Sequence, residues 1–300
     1  MSDYSALVSN YLGGGMSYSQ RPGGRILNKI EWTNLSGYRV ELIQNDEVFK
    51  NRNSLRNRGT HTTSVLVHDV DPGDVTYVRK IVSDLTGLLC FASTSPVSMF
   101  GERYPHDTGN ATQWSVLGAA LLYRPALDIN NGAAVHAFVE NTWSQYRKLQ
   151  NRRKLRLIFD YLAMSESPAL PLEIKLATVF IAMESLKDSY ARSERIPYAG
   201  GYYRKISTPP KPNILKEPRY SFKELLEEMF ARVSMRKRPL KRIISLRNRI
   251  IHSGLMRGTL KSKLRIYGNC HEIIREYVFR LLGFHGQFML YHNPNLSKTI

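Results

Sequence analysis

The residues best suited to chemistry lie between Leu240 and Gly254, in the run LKRIISLRNRIIHSG. On a helical wheel at about 100° per residue, Leu240, Ile243, Ile244, Leu246, Ile250 and Ile251 form one apolar stripe. Arg247 falls near the middle of that stripe, whereas Arg249 falls opposite, where a solvated arginine belongs. A buried guanidinium is unfavourable unless it is paired, so Arg247 has either a purpose or a partner. Asn248 and His252 stand four apart, on one shoulder of the same stripe. Arg247 and His252 diverge by roughly 140° on an ideal helix. Their side chains converge only if the helix ends between them or if two copies of the helix meet. His252 also precedes Gly254 by two residues, so the expected end of the helix dipole favours its imidazolium while Arg247 opposes it. A histidine balanced near neutrality can exchange protons, which acid–base catalysis needs. On spacing alone a second reading stays open: Arg247 anchored to a helix carboxylate such as Glu184, and His252 acting as a C-terminal cap.

A second region, residues 196–220, has the composition of a nucleic-acid contact. Pro197, Pro209, Pro210, Pro212 and Pro218 exclude a regular helix, and connectors of this length are usually functional or disordered. Arg204, Lys205, Lys211, Lys216 and Arg219 are interleaved with Tyr198, Tyr202, Tyr203 and Tyr220. Cations hold phosphates and tyrosine faces stack on unpaired bases, which suits single-stranded nucleic acid. A solvated insertion with scattered charge is the alternative.

The charge of the whole chain supports a polyanionic partner. Lys and Arg number 43 against 25 Asp and Glu, a formal +18. Residues 1–150 contribute only +1, so +17 belongs to residues 151–300. A field of that size attracts nucleic acid or an anionic surface. The 42% hydrophobic and 10% aromatic content supplies a core and excludes a disordered or fibrous chain. The first residues lack a signal-peptide pattern, and no apolar run approaches the roughly 20 residues a membrane span requires. Cys90 and Cys270 are isolated, which argues against a disulfide framework or a zinc site, and the eight histidines are scattered. No cofactor or metal is expected, and a reduced, cytoplasmic setting is the simplest reading.

The elements that must position these residues divide the chain near residue 140. The Gly/Ser/Tyr-rich first 25 residues read as a mobile lead-in, and Gly13-Gly14-Gly15 is no phosphate loop because no Gly-Lys-Ser/Thr follows. Strands are expected at 26–32, 38–43 and 64–68, a helix from Asp71-Pro72 to Leu89, a turn-rich zone at 93–113, and then apolar residues 114–123. Helical periodicity follows at 132–149, 152–164, 170–193, 239–252 and 263–282. Ser221-Phe222-Lys223-Glu224 is a capping box opening another helix, and Gly254 and Gly283 stand where C-terminal caps need positive φ. The expected fold is α+β: residues 1–140 a mixed N-terminal domain with a small sheet, residues 141–300 an all-α bundle with its core at about 165–290.

The stretch Leu246-Arg247-Asn248-Arg249-Ile250-Ile251-His252-Ser253-Gly254 resembles the Arg-x4-His signature of the HEPN (higher eukaryotes and prokaryotes nucleotide-binding) superfamily, including the favoured polar Asn after the Arg. Phe180-Ile181-Ala182-Met183-Glu184-Ser185-Leu186 is similar to that family's acidic helix, and Leu281-Leu282-Gly283-Phe284-His285-Gly286 resembles the close of its Apea-like branch. The likeness spans about residues 165–290. Some HEPN toxins carry a Tyr two residues after the His; Gly254 occupies that position here, so regulation through such a tyrosine is not implied.

The resemblance implies a metal-independent endoribonuclease that dimerises so that two motifs line one composite cleft. The RNA 2′-OH would attack its neighbouring phosphorus, with His252 as general base or acid and Arg247 stabilising the phosphorane. Asn248 would orient the phosphate or His252, and Glu184 would position Arg247 or His252. Tyr202, Tyr203, Arg204, Lys205 and Arg249 are the candidate RNA contacts. Residues 1–140 would sense a trigger or restrain the nuclease, and by analogy alone the role would be abortive infection in anti-phage defence. The alternative is a non-catalytic RNA- or nucleotide-binding HEPN module. A helical module meeting an acidic protein or membrane ranks last, because it leaves the position of Arg247 unexplained.

Overall fold

A computed structural model describes residues 1–21, 24–46, 48, 61–106, 110–113, 124–236, 239–253, 258–293 and 295–300, with only the backbone of Arg21, His252 and Ser253. The first strand, β1 (Ser2–Ser9), overturns the expected mobile lead-in. Tyr4, Ala6 and Val8 alternate along it and are completely buried, the period-2 pattern of a strand with one face on a core. β1 lies inside a seven-stranded antiparallel sheet, between β5 (His61–Val70) and β6 (Ser98–Arg103). The other strands are β2 (Ser17–Arg21), β3 (Gly24–Leu35), β4 (Tyr38–Gln44) and β7 (Thr112–Gln113), giving the order β2-β3-β4-β5-β1-β6-β7. The sheet is therefore larger than the small one expected, and β6 lies in a stretch that reads as turns.

The glycines after β1 serve close approach rather than mobility. The Gly14 amide donates to the Ile129 carbonyl at 2.7 Å, and a Cβ on Gly14 would sit 2.1 Å from the Asn130 carbonyl oxygen. On Gly15 it would meet the Lys29 backbone nitrogen at 2.5 Å. Only glycine fits there.

Helices cover one face of the sheet. A single 3-10 turn (Pro72–Asp74) leads into α1 (Val75–Ser93), so the helix starts later and runs further than the sequence suggests. α2 (Gly132–Leu149) is capped by the Asn131 side chain and packs on β3, where Trp32 stacks on His136 with centroids 5.8 Å apart. This helix crosses the boundary expected at residue 140. Its Phe138 joins Phe91 of α1 and Phe279 from the far end of the chain in one aromatic cluster, and the apolar core runs without a break from Tyr4 to Tyr291.

The remaining helices are α3 (Leu155–Ser165), α4 (Leu172–Ser193), α5 (Phe222–Ala231), α6 (Lys241–Ser253) and α7 (Leu260–Leu281). Each falls within a few residues of its expected position. Gly283 takes φ 70° after α7, as its capping role demands. The C-terminal part is mainly but not entirely helical: β8 (Tyr198–Ala199) pairs with β9 (Tyr202–Tyr203), and β10 (Gln287–Met289) with β11 (Ser297–Thr299). Gly254 and residues 114–123 lie outside the described residues.

Candidate functional site

Helix α6 buries Ile243, Leu246 and Ile250 against the bundle, and Leu240 just before it is buried too, following the expected stripe. Ile251 does not join it and is 52% exposed. Arg247 sits at the edge of the buried face, its side chain 24% exposed. Its Nη2 forms an ion pair with Glu184 Oε1 of α4, and its Nη1 donates to Asn248 Oδ1 at 2.8 Å. The guanidinium lies 4.9 Å from the Phe222 ring centroid, within cation–π range. Its Nε is buried and has no hydrogen-bond partner among the described residues.

Glu184 is shared. Its Oε2 accepts from Lys187 Nζ at 2.6 Å, and Lys187 lies 5.1 Å from the same Phe222 ring. Phe222 thus contacts both cations that neutralise Glu184. Its place is fixed by the start of α5: the Ser221 hydroxyl accepts from the Glu224 amide, and Glu224 accepts from the Ser221 amide, a complete capping box. Lys205 adds an ion pair to Glu224, and Lys205 together with Ser221 lowers that carboxyl to about 2.

Three of the four candidate catalytic residues, Arg247, Asn248 and Glu184, therefore meet. The fourth, His252, lies one turn further along α6, and its side chain is outside the described residues.

The candidate RNA contacts divide into two groups. Arg204 is 3% exposed and donates to the carbonyls of Ala199, Leu215 and Glu217 at 3.0–3.1 Å. These bonds, with a Glu217 carboxyl that accepts from Ser207 and the Lys211 amide, organise the proline-rich connector into a packed structure. Arg204 is thus spent on the fold. Tyr203 is mostly buried and donates its hydroxyl to Asp188 Oδ1; burial and Asp188 push that hydroxyl up to about 12. Tyr202 is 46% exposed, with the Arg219 guanidinium 4.1 Å from its ring centroid, and Arg249 lies exposed on α6.

Several of these residues line an open cavity of about 590 Å³. Tyr202, Tyr203 and Tyr198 wall one side, Tyr220 and Phe222 contribute aromatic surface, and Glu184 lines it from α4. The hairpin thus shares a cleft with Glu184, Lys187 and Phe222, the residues that contact Arg247 or its carboxylate partner. Sequence reasoning placed Tyr198 and Tyr220 in the tyrosine-rich connector but missed Phe222 and Lys187. Lys187, three residues after Glu184, was the available signal.

Among the described residues no helix is long and apolar enough to cross a membrane. No protein-family model, curated protein or solved structure matches the chain.

Proposed function

We propose that this protein is an endoribonuclease of the HEPN type that cuts single-stranded RNA without a metal. The observation that carries the reading is Arg247, held by Glu184 and Asn248 beside a cavity walled by tyrosines. Ordered in this way, a guanidinium offers fixed donors to charge developing on a phosphoryl oxygen, with little reorganisation as that charge appears. The tyrosines offer faces for unpaired bases, and the +17 carried by residues 151–300 attracts the backbone.

In the proposed reaction a base removes the 2′-OH proton, the 2′-oxygen bonds to the adjacent phosphorus, and the bond from phosphorus to the 5′-oxygen breaks. An acid protonates that leaving oxygen, so the products carry a 2′,3′-cyclic phosphate and a 5′-OH. His252 serves as base or acid, with the second His252 of a homodimer available for the other role. Ile181 and Ile251, 47% and 52% exposed, lie one turn from Glu184 and Arg247 respectively and give this face the apolar flank that dimerisation would bury. A role in anti-phage defence rests on the Apea-like resemblance alone.

One observation favours a second reading. The Arg247–Glu184 ion pair is also what a structural anchor would make, and in that case the cleft binds RNA without cutting it.

Product analysis separates the two. Incubation with single-stranded RNA should release 2′,3′-cyclic phosphate ends, and a 2′-deoxy substitution at the cut site should block cleavage there. Tight binding with intact RNA after prolonged incubation would favour the binder, and cleavage at 2′-deoxy positions would exclude the mechanism.

A further inference from the structure

A second cavity, of about 800 Å³, lies among the start of α4, the start of α7 and the segment after β10. Its size is in the range that holds a drug-sized ligand. The acidic residue in its lining is Glu166, 6% exposed, and Arg124 also lines it, its Nη1 donating to the Tyr291 carbonyl at 2.7 Å. Glu166 Oε1 accepts from the Tyr291 hydroxyl at 2.7 Å and the Tyr267 hydroxyl at 3.1 Å. His271 Nε2 lies 3.4 Å from the same oxygen and 3.0 Å from Ser165 Oγ. Complete burial, with Arg275 and Arg124 nearby, pushes His271 well below its ordinary range, so it faces Glu166 as a neutral imidazole. None of the described residues hydrogen-bonds to Glu166 Oε2. That oxygen lies on a residue lining the cavity and is open to a donor from a ligand.

The rest of the cavity restricts what that ligand can be. Leu170, Leu172, Leu260 and Leu264 form an apolar lining, and Leu260 and Leu264 are 66% and 49% exposed. Lys175, Lys261 and Arg265 also line it, and none of the three forms an ion pair with a described residue. A ligand that fits presents a donor to Glu166, an aliphatic body to the leucines and an anion to the three cations.

We propose that this cavity binds an apolar amino acid or short apolar peptide, its ammonium on Glu166 Oε2 and its carboxylate at Lys175, Lys261 and Arg265. The volume favours a peptide of a few residues over a lone amino acid. The site is separate from the Arg247 cleft, so it stands whether or not the protein cuts RNA.

Titration calorimetry of the full-length protein with trileucine, leucine, N-acetyl-trileucine and trileucine amide tests this. Trileucine should bind, and acetylation should weaken it about tenfold or more by removing the charged donor. Amidation should weaken it similarly, and Lys261→Ala with Arg265→Ala should weaken trileucine but not its amide. Both substitutions are at exposed positions and leave the core intact, whereas Glu166→Gln, expected to mimic acetylation, requires a fold check by circular dichroism. Leucine binding as tightly as trileucine would assign the site to the free amino acid. Arg247→Ala should leave trileucine binding unchanged. The proposal is overturned if none of the four ligands binds at millimolar concentration, or if the acetylated peptide binds as well as the free one.

Discussion

Glu184 of α4 holds Arg247 of α6 through one carboxylate oxygen and Lys187 through the other, and both cations lie over the Phe222 ring. The motif arginine is thereby fixed by α4 and α5 as well as by Asn248 of its own helix, α6. Its orientation depends on Glu184, on Phe222 and, through Glu184, on Lys187.

Glu184 and Arg247 should therefore be energetically coupled. A double-mutant cycle with Glu184→Gln and Arg247→Lys, followed by denaturant unfolding, is expected to give a coupling of about 0.5–1 kcal/mol, since both side chains are partly solvated. A coupling indistinguishable from zero would mean that the pair does not hold Arg247 in place.

The capping box that places Phe222 is a second handle. Ser221→Ala should lower stability by about 1 kcal/mol, read from the denaturant midpoint at unchanged slope. The Glu224 carboxyl, depressed to about 2 from an ordinary 4.5, contributes stability above pH 4.5 that is lost as pH falls toward 2. Glu224→Gln should flatten that acid limb, and an unchanged limb would show that the cap does not form.

His271 acts at a higher pH. Its folded pKa lies well below the ordinary 6.5, so unfolding takes up a proton once the pH drops below about 6.5. The stability it contributes is complete above that pH and declines below it. His271→Gln should remove this dependence in thermal melts between pH 7 and 5, and an identical slope in both proteins would contradict a buried neutral imidazole.

Arg204 and Lys205 should separate fold from binding. Arg204→Ala leaves three connector carbonyls without their donor and is expected to cost about 2 kcal/mol or more. Lys205→Ala should shift stability by less than about 1 kcal/mol because its pair is solvated. Equal effects in unfolding experiments would mean that the connector is not organised around Arg204.

The fold was legible where periodicity and caps agree. The helices from Gly132 onward carry 3.6-residue patterns, and Ser221 and Gly283 mark their ends as the caps require. β1 was not legible, because its short Tyr4-Ala6-Val8 alternation sits beside Gly13-Gly14-Gly15, which reads as flexible until Asn130 and Lys29 are seen against it. β6 is hidden in a run of Ser and Pro. Within the site, Glu184 was legible as a partner for Arg247, since a misplaced arginine needs a carboxylate. Phe222 was not, because only the docking of α5 brings it there. Ile251 reads as core on an ideal wheel, but among the described residues it is left 52% exposed. The Glu166 cavity is assembled from residues 166, 267 and 291, a proximity that no local pattern announces.

The most direct test is cleavage of single-stranded RNA in excess chelator by the wild type, Arg247→Ala and His252→Ala, with circular dichroism on each protein. The wild type should cut, and each variant should lose activity by about a hundredfold or more while keeping its fold. Undiminished cleavage by both folded variants would contradict the assignment of the chemistry to Arg247 and His252.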